Sequence, residues 1–195
     1  MNYVEPIRDR KKIAQIKNLL RGQNRFRDLL LFVVGINTAL CITVLLKLQV
    51  GYFVDERGGP KRRFWIQEQK RGKRHEVTIN NSIWEALDEY LKAYQDIVEN
   101  PENCLFFNSK RNDYTRPIKR GQAWKFIVSI CRDVGLSGNY GTHSLRRTWG
   151  YHARMQGVDL VLIMHKLNHE SIAYTKRYLG ITDDELQAVA QRLNL

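Results

Sequence analysis

Five polar side chains of this sequence have the types and the spacing of a phosphate-handling site. His143 and Arg146 lie three residues apart at the start of a predicted helix, where side chains at i and i+3 share one face. His169 follows a later predicted helix, and Tyr178 comes nine residues after it. Arginine binds phosphate oxygens through a bidentate fork, histidine adds hydrogen bonds or a proton, and a tyrosine hydroxyl can attack phosphorus. Lys70, at the tip of a predicted hairpin, could protonate the leaving oxygen.

Each of these residues also has an ordinary structural interpretation. The chain holds nine tyrosines, and a buried tyrosine usually serves packing. His165 and His169 have the spacing of a zinc-binding helix, but Lys166 stands where a metalloprotease would carry its glutamate. The sequence contains no P-loop and no Gly-x-Ser-x-Gly motif. We therefore expect no metal and no cofactor. Because each residue alone is a weak signal, the prediction of phosphate chemistry depends on the five residues acting together.

Helices are predicted to carry most of these residues. Apolar periodicity and helix-end signals predict helices at Ile7 to Leu20, Arg25 to Val34, Thr38 to Leu48, from a Ser82-Ile-Trp-Glu85 capping box onward, Gly121 to Val134, Thr142 to Gly157, Asp159 to Leu167, Ser171 to Leu179 and Thr182 to Leu195. Extended segments are predicted at Gly51 to Asp55, Phe64 to Lys70 and Arg74 to Asn80, with a basic turn at Lys70 to Lys73. The expected fold class is mainly α with a small three-stranded antiparallel sheet, an α+β domain.

The net charge of the chain favours a polyanionic partner. Its 195 residues include 32 Lys and Arg against 20 Asp and Glu, a formal net charge of +12 at pH 7. Nucleic acid is the simplest such partner, although charge alone would also fit a solubilising surface or a membrane-surface protein. The three cysteines, Cys41, Cys104 and Cys131, form no Cys-x-x-Cys pair, and the N-terminus has no signal-peptide core. These features predict a reducing, cytoplasmic location.

The longest apolar segment, Leu29 to Leu46, has 18 residues without a charge. That length meets the threshold for a transmembrane helix. Gly35 to Thr38 interrupts the segment, and glycine commonly ends a helix while Asn and Thr commonly begin one. We therefore expect two buried helices joined by a tight turn. The alternative is a membrane-anchored protein that uses this segment as its span. Solubility of the protein without detergent would exclude that alternative.

The joint pattern resembles the catalytic domain of the tyrosine recombinases, the phage integrase family. Three segments carry the likeness: Gly141-Thr-His-Ser-Leu-Arg-Arg-Thr148, Leu167-Asn-His-Glu-Ser-Ile-Ala-Tyr-Thr-Lys-Arg-Tyr178 and the hairpin Gln67-Glu-Gln-Lys-Arg-Gly-Lys-Arg-His-Glu-Val77. The His-x-x-Arg box, the second histidine and the step to the tyrosine stand in the order and spacing of that family. The likeness runs from about Val4 to the end of the chain.

The resemblance implies cleavage and rejoining of double-stranded DNA without a metal or ATP. Tyr178 would attack the scissile phosphate and release a 5′-hydroxyl, and Lys70 would be the general acid for that oxygen. Arg146, His143 and His169 would stabilise the pentacoordinate phosphorane. The covalent 3′-phosphotyrosine would conserve the bond energy, so that a second strand could reverse the step. The positive charge agrees with this, because phosphate contacts dominate such binding.

Two positions depart from the family pattern. Members carry an early arginine, followed three residues later by a carboxylate that orients it, in a Leu-Arg-Ile-Ser-Asp/Glu-Leu-Leu segment. The matching segment here, Leu40-Cys-Ile-Thr-Val-Leu-Leu46, places Cys41 and Val44 at those positions. Replacing both partners by apolar groups leaves no unpaired buried charge. A thiol gives the phosphate no cation, so we expect impaired catalysis with DNA binding retained.

Alternatives remain open at the sequence level. A shifted alignment would let an upstream arginine serve instead: Arg21, Arg25 or Arg27. A catalytically inactive homologue that only binds DNA, or that pairs with an active partner, is the alternative to a weakened enzyme. Covalent adduct formation separates these two functions.

We expect residues 1–195 to form a single catalytic domain, without the N-terminal DNA-binding domain that closes the DNA clamp in most members. Half a clamp would bind DNA more weakly and with a stronger dependence on salt. The last predicted helix, Thr182 to Leu195, is amphipathic. In this family such a helix often docks on a neighbouring protomer, which predicts a homo-oligomer on DNA; packing on its own domain is the alternative.

Overall fold

A computed structural model of the protein describes residues 4–55, 59–67, 74–108 and 113–181. Helices form most of this part of the chain, and they are α1 (Arg10–Gly22), α2 (Phe26–Thr38), α3 (Ile42–Leu45), α4 (Asn81–Ala93), α5 (Arg120–Asp133), α6 (Thr142–Met155), α7 (Leu160–Lys166) and α8 (Ile172–Leu179). The mainly α class is therefore confirmed. The predicted last helix and the basic turn that carries Lys70 lie outside the described residues.

The prediction of one three-stranded sheet is wrong, because the described residues form two sheets of two strands each. Strands β1 (Arg63–Gln67) and β2 (Arg74–Thr78) pair antiparallel as expected, with Trp65 opposite Glu76. A separate two-stranded sheet joins β3 (Phe107–Asn108) to β4 (Asp113–Pro117).

The segment predicted as the third strand, Gly51 to Asp55, begins instead in a 3-10 turn, Val50–Tyr52. The N–H of Gly51 donates to the carbonyl of Pro101, and the N–H of Phe53 donates back to Val50. These bonds commit the backbone to a turn, so an extended ladder does not form.

The predicted helix break at Gly35 is also wrong. Helix α2 runs through Gly35 to Thr38, and the chain turns at Ala39, which adopts the left-handed conformation (φ 60°). A Cβ at Gly35 would lie 2.6 Å from Leu145 Cδ1, so the glycine permits close packing of α2 against α6. Thr38 donates its hydroxyl to the carbonyl of Val34 inside α2 and does not cap a following helix.

Two helix starts differ from the sequence prediction for a clear chemical reason. Helix α1 begins at Arg10 because the Asp9 side chain accepts the N–H of Lys11 at 2.7 Å. Helix α4 begins before the predicted Ser82 capping box, because Asn80 Oδ1 accepts the N–H of Ile83 at 3.0 Å. An Asp or Asn side chain that accepts a hydrogen bond from a backbone N–H of the first turn caps the helix and so determines where the helix begins.

Helix α2 is the centre of the hydrophobic core and packs on α1, α4 and α6. Its residues from Leu29 to Val34 are all buried. Asp28 is buried too, and it accepts charged hydrogen bonds from both Arg25 and Arg27. Among the described residues, every helix is too short or too polar to cross a lipid bilayer. The apolar run that includes α2 is therefore core, as the sequence favoured.

Candidate active site

Helix α6 carries His143 and Arg146 and is fixed at its N-terminal half. Thr148 Oγ1 donates to the carbonyl of Ser144 at 2.7 Å and accepts the N–H of Ile7 at 2.8 Å. Thr148 and Ser144 are buried, so these bonds are shielded from water. The His-x-x-Arg segment thus projects from a helix anchored to both α2 and the N-terminal segment.

Arg146 reaches from α6 to the end of α7. Its guanidinium donates to the carbonyl of Leu167, which holds the side chain beside the loop that precedes α8. His143 lies close enough to Arg146 to respond to its charge. Burial lowers the pKa of His143, and the positive charges of Arg120, Arg146 and Arg147 lower it further. His143 is therefore neutral at pH 7, and a neutral imidazole can donate one hydrogen bond and accept another.

Thr175 determines how His169 hydrogen-bonds. The Thr175 hydroxyl, fully buried, lies 3.0 Å from the carbonyl of Ser171 and 3.0 Å from His169 Nδ1. Because the hydroxyl has one proton, donating it to the carbonyl leaves it an acceptor toward His169. His169 Nδ1 must then carry a hydrogen, so Nε2 is the acceptor in the neutral ring and a donor only in the imidazolium.

Tyr178 lies on α8 within a cluster of cationic and aromatic groups. The guanidinium carbon of Arg147 sits 4.4 Å from the centre of the Tyr178 ring. The His169 ring lies edge-on at 4.8 Å, and Tyr174 stacks at 6.4 Å. The structure thus brings His143, Arg146, His169 and Tyr178 together across α6, the α7–α8 loop and α8, as the sequence motif implied.

The Tyr178 hydroxyl is buried in this conformation. Among the residues that the structure describes, no group makes a standard hydrogen bond to it. Burial raises the pKa of Tyr178, while the charges of Arg146 and Arg147 act in the opposite direction. In this conformation the hydroxyl is shielded from solvent.

A pocket beside this cluster is bounded by the α2–α3 corner, β2 and the end of α7. Its lining residues are Thr38, Ala39, Leu40, Val77, Arg146, Lys166 and Asn168. A larger open pocket of about 530 Å³ lies along the α7–α8 loop, next to His169 and Tyr174. Two lining residues of the first pocket, Ala39 (φ 60°) and Asn168 (φ 48°), have left-handed backbones that cost energy for residues other than glycine.

Cys41 and Val44 occupy different environments. Cys41 is half-buried at the start of α3, with its Sγ 3.2 Å from Thr43 Oγ1. Val44 packs against the hydrophobic core. Leu40, the neighbour of Cys41, lines the Arg146 pocket. Position 41 therefore directly follows a lining residue of the pocket, and its side chain is not a cation.

The three upstream arginines are engaged elsewhere. Arg21 binds Glu89 of α4 at 2.8 Å, and Arg25 and Arg27 bind Asp28 at 2.8 and 2.7 Å. These ion pairs hold their guanidinium groups on the α1, α2 and α4 side of the core. The shifted-alignment alternative therefore has no support from their geometry.

Sequence reasoning missed three residues of this region: Arg147, Lys166 and Thr175. Arg147 follows the motif arginine, but its position in the sequence does not show that it contacts the Tyr178 ring. Thr175 is three positions before Tyr178, but the spacing does not show that it bonds to His169 Nδ1. Lys166 counted only as a mismatch to a zinc motif. Within the described ranges, no group of three His, Cys, Asp or Glu side chains could hold a metal ion.

Comparison with known sequences identifies close relatives. The family model described as "Phage integrase family" matches residues 9–185. The chain is 36% identical over 188 residues to "Probable integrase/recombinase YoeC" of Bacillus subtilis, covering 96% of each protein. It is 22% identical over 181 residues to "Tyrosine recombinase XerA" of Pyrococcus horikoshii, covering 93% of this chain and 60% of that protein.

Comparison with solved structures finds the same fold. The crystal structure of XerA recombinase superimposes with a TM-score of 0.75 at 18% identity, covering all of this chain and 67% of that one. XerH site-specific recombinase bound to palindromic difH substrate matches with a TM-score of 0.70 at 20% identity, covering 96% of this chain and 51% of that one. At these identities the likeness establishes the fold.

Proposed function

We propose a function from one premise: the chain belongs to the phage integrase family. It is a site-specific recombinase or integrase catalytic domain that cleaves and rejoins double-stranded DNA through a 3′-phosphotyrosine at Tyr178. The observation that carries this proposal is the cluster in which Tyr178 lies among Arg147, His169 and the Arg146 guanidinium. A phenol surrounded by guanidinium groups is suited to a phosphate, whose charge those groups neutralise.

The proposed reaction exchanges one phosphodiester bond for another. The Tyr178 oxygen attacks phosphorus and gives up its proton to water, the bond from phosphorus to the 5′ oxygen breaks, and Lys70 supplies a proton to that oxygen. Arg146, His143 and His169 bind the phosphate oxygens as negative charge accumulates on them. Rejoining reverses these transfers, which requires no metal and no nucleotide.

Exposure of Tyr178 is the first step of the proposed mechanism. A phosphate bound at Arg146 would compete with the ring for the guanidinium groups that surround it. The deprotonated phenol is disfavoured by burial, so the tyrosine becomes a nucleophile only once it leaves its pocket. DNA docking would thereby couple activation of the tyrosine to the presence of substrate.

Catalysis is proposed to be impaired at position 41. Loss of one preorganised donor at a charged transition state typically lowers a rate by about 10² to 10³. Cys41 adds no cation to the pocket, and Val44 packs on the core where a carboxylate would orient an arginine. This same observation favours the second candidate function, a homologue that binds DNA without cleaving it.

The chain spans about 60% of the length of XerA and nearly all of YoeC. We propose that residues 1–195 act as one catalytic domain whose grip on DNA covers part of the duplex circumference. Pairing of protomers on DNA, through the C-terminal residues, would complete the recombining assembly.

Trapping of covalent protein–DNA adducts tests the proposal. The chain is mixed with duplexes from its own genetic neighbourhood, denatured and run on a gel, beside Tyr178→Phe and the double variant Cys41→Arg/Val44→Asp. We expect a weak adduct from the parent, none from Tyr178→Phe, and a stronger one from the double variant. An adduct from the double variant alone would assign the parent to the DNA-binding function, and an adduct that survives Tyr178→Phe would contradict the mechanism.

A further inference from the structure

The pocket between the α2–α3 corner and the end of α7 contains a second cation, Lys166, in addition to Arg146. Lys166 and Arg146 both line this pocket, and none of the lining residues that the structure describes is acidic. Val77 and Leu40 supply apolar walls beside the two charges. A pocket lined by two cations attracts an anion, because an anion there would pair with both charges.

Both cations are attached near the end of α7. Arg146 donates to the carbonyl of Leu167, the residue directly after Lys166. Lys166 is the last residue of α7, and the C-terminal end of a helix favours a positive charge. The backbone therefore places both groups at one rim of the pocket.

Lys166 has donors available beyond the contact that holds it. Its Nζ donates to the backbone carbonyl of Glu76 on β2 at 3.0 Å. An ammonium group has three donors, so two remain for another acceptor. The Glu76 carboxylate binds Arg63 at 3.0 Å, and no carboxylate within the described ranges forms an ion pair with Lys166.

The charged state of Lys166 would be favoured by a bound anion. Burial lowers the pKa of Lys166, and Glu76 only partly opposes this effect. A phosphate oxygen in the pocket would reverse the cost of burial by pairing with the ammonium.

We infer that Lys166 and Arg146 together form an oxyanion site, and that Lys166 binds a non-bridging oxygen of the scissile phosphate in place of the cation absent at Cys41. Leu40, the residue directly before position 41, lines the same pocket as Lys166. Lysine is a point charge without the bidentate fork of arginine, so it restores part of the lost stabilisation. The identity of the phosphate rests on the proposed function, whereas the pocket can be tested without DNA.

The first test titrates the folded chain with inorganic sulfate, a tetrahedral oxyanion, and follows the NMR signal of the Arg146 Nε–H. We expect a saturable shift in the parent, affinity lower by about tenfold in Lys166→Met, and affinity within about twofold of the parent in Lys166→Arg. Lys166→Gln keeps a donor for the Glu76 carbonyl but removes the charge, so it should bind sulfate as weakly as Lys166→Met. The matched control is Lys92→Met, an exposed lysine on α4 paired with Asp88.

Two results of this titration would overturn the site. One is equal sulfate affinity in the parent, Lys166→Met and Lys166→Gln. Lys166 would then only hold β2 through its hydrogen bond to the Glu76 carbonyl. The other is a parent whose Arg146 signal does not respond to sulfate in a saturable way.

The second test asks whether Lys166 serves the reacting phosphate. Adduct yield is compared among the parent, Lys166→Met and Cys41→Arg/Lys166→Met. If both cations serve one phosphate, Lys166→Met lowers the yield and the added arginine restores it. A loss that Cys41→Arg does not relieve would overturn the assignment. Absence of adducts from every variant would count against the proposed function instead, and the sulfate titration would still decide the pocket.

Discussion

Thr175 shows how one buried hydroxyl can set the chemistry of a neighbouring catalytic candidate. It accepts from His169 Nδ1 because its own proton is committed to the Ser171 carbonyl. His169 Nε2 is then an acceptor when the ring is neutral and a donor when it is protonated. Thr175 is in this sense a positioning residue.

Removing that hydroxyl should slow cleavage without weakening DNA binding. Thr175→Val keeps the shape of the side chain but lets His169 rotate and change tautomer, and misplacement of a reacting group costs up to about a hundredfold in rate. The rate of adduct formation measures the loss, and fluorescence anisotropy measures DNA affinity in parallel. Thr175→Ser, which keeps the hydroxyl, should retain most activity. An equal loss in both variants would assign Thr175 to packing alone.

Packing of helix α2 against helix α6 positions the His-x-x-Arg segment. Gly35 permits this contact, because a Cβ there would lie within 2.6 to 3.3 Å of three Leu145 side-chain atoms. Leu145 is buried and sits between His143 and Arg146 on α6. A displaced Leu145 would therefore move both polar side chains.

The variant Gly35→Ala should lower the free energy of unfolding by about 1–3 kcal/mol, since overpacking forces shifts of a tightly packed core. Urea unfolding followed by circular dichroism measures the change. Gly121→Ala on α5 is the matched control, because nothing lies within 4 Å of a Cβ there. Equal stability of Gly35→Ala and the parent would show that α2 and α6 do not pack this closely in solution.

Gly35 also shows what the sequence could and could not predict. Caps and periodicity located α1, α4, α5, α6, α7 and α8 because those signals are local. A glycine inside an apolar segment fits either a helix end or a close helix contact, and the choice depends on Leu145, which is distant in sequence. The candidate set could be proposed from the sequence because its residues stand in a fixed order and spacing, whereas the pocket that Lys166 and Arg146 share exists only in the folded chain.

At the scale of the whole molecule, the net charge of +12 should make DNA binding strongly dependent on salt. Each phosphate neutralised by Lys or Arg releases counterions, so four such contacts would weaken binding about a hundredfold between 50 and 200 mM salt. Anisotropy with a labelled duplex at several salt concentrations measures the slope. A binding constant unchanged over this range would contradict an interface formed by cations and phosphates.

The site on the chain where DNA becomes attached tests the central claim most directly. Trypsin should separate Tyr178 from the neighbouring Tyr174, because Lys176 and Arg177 lie between them. Trapped adducts are digested with nuclease and trypsin, and the peptides are sequenced by mass spectrometry. We predict a nucleotide on Tyr178, in the peptide that ends at Arg192. A nucleotide on Tyr174 or on any other residue would contradict the proposed mechanism.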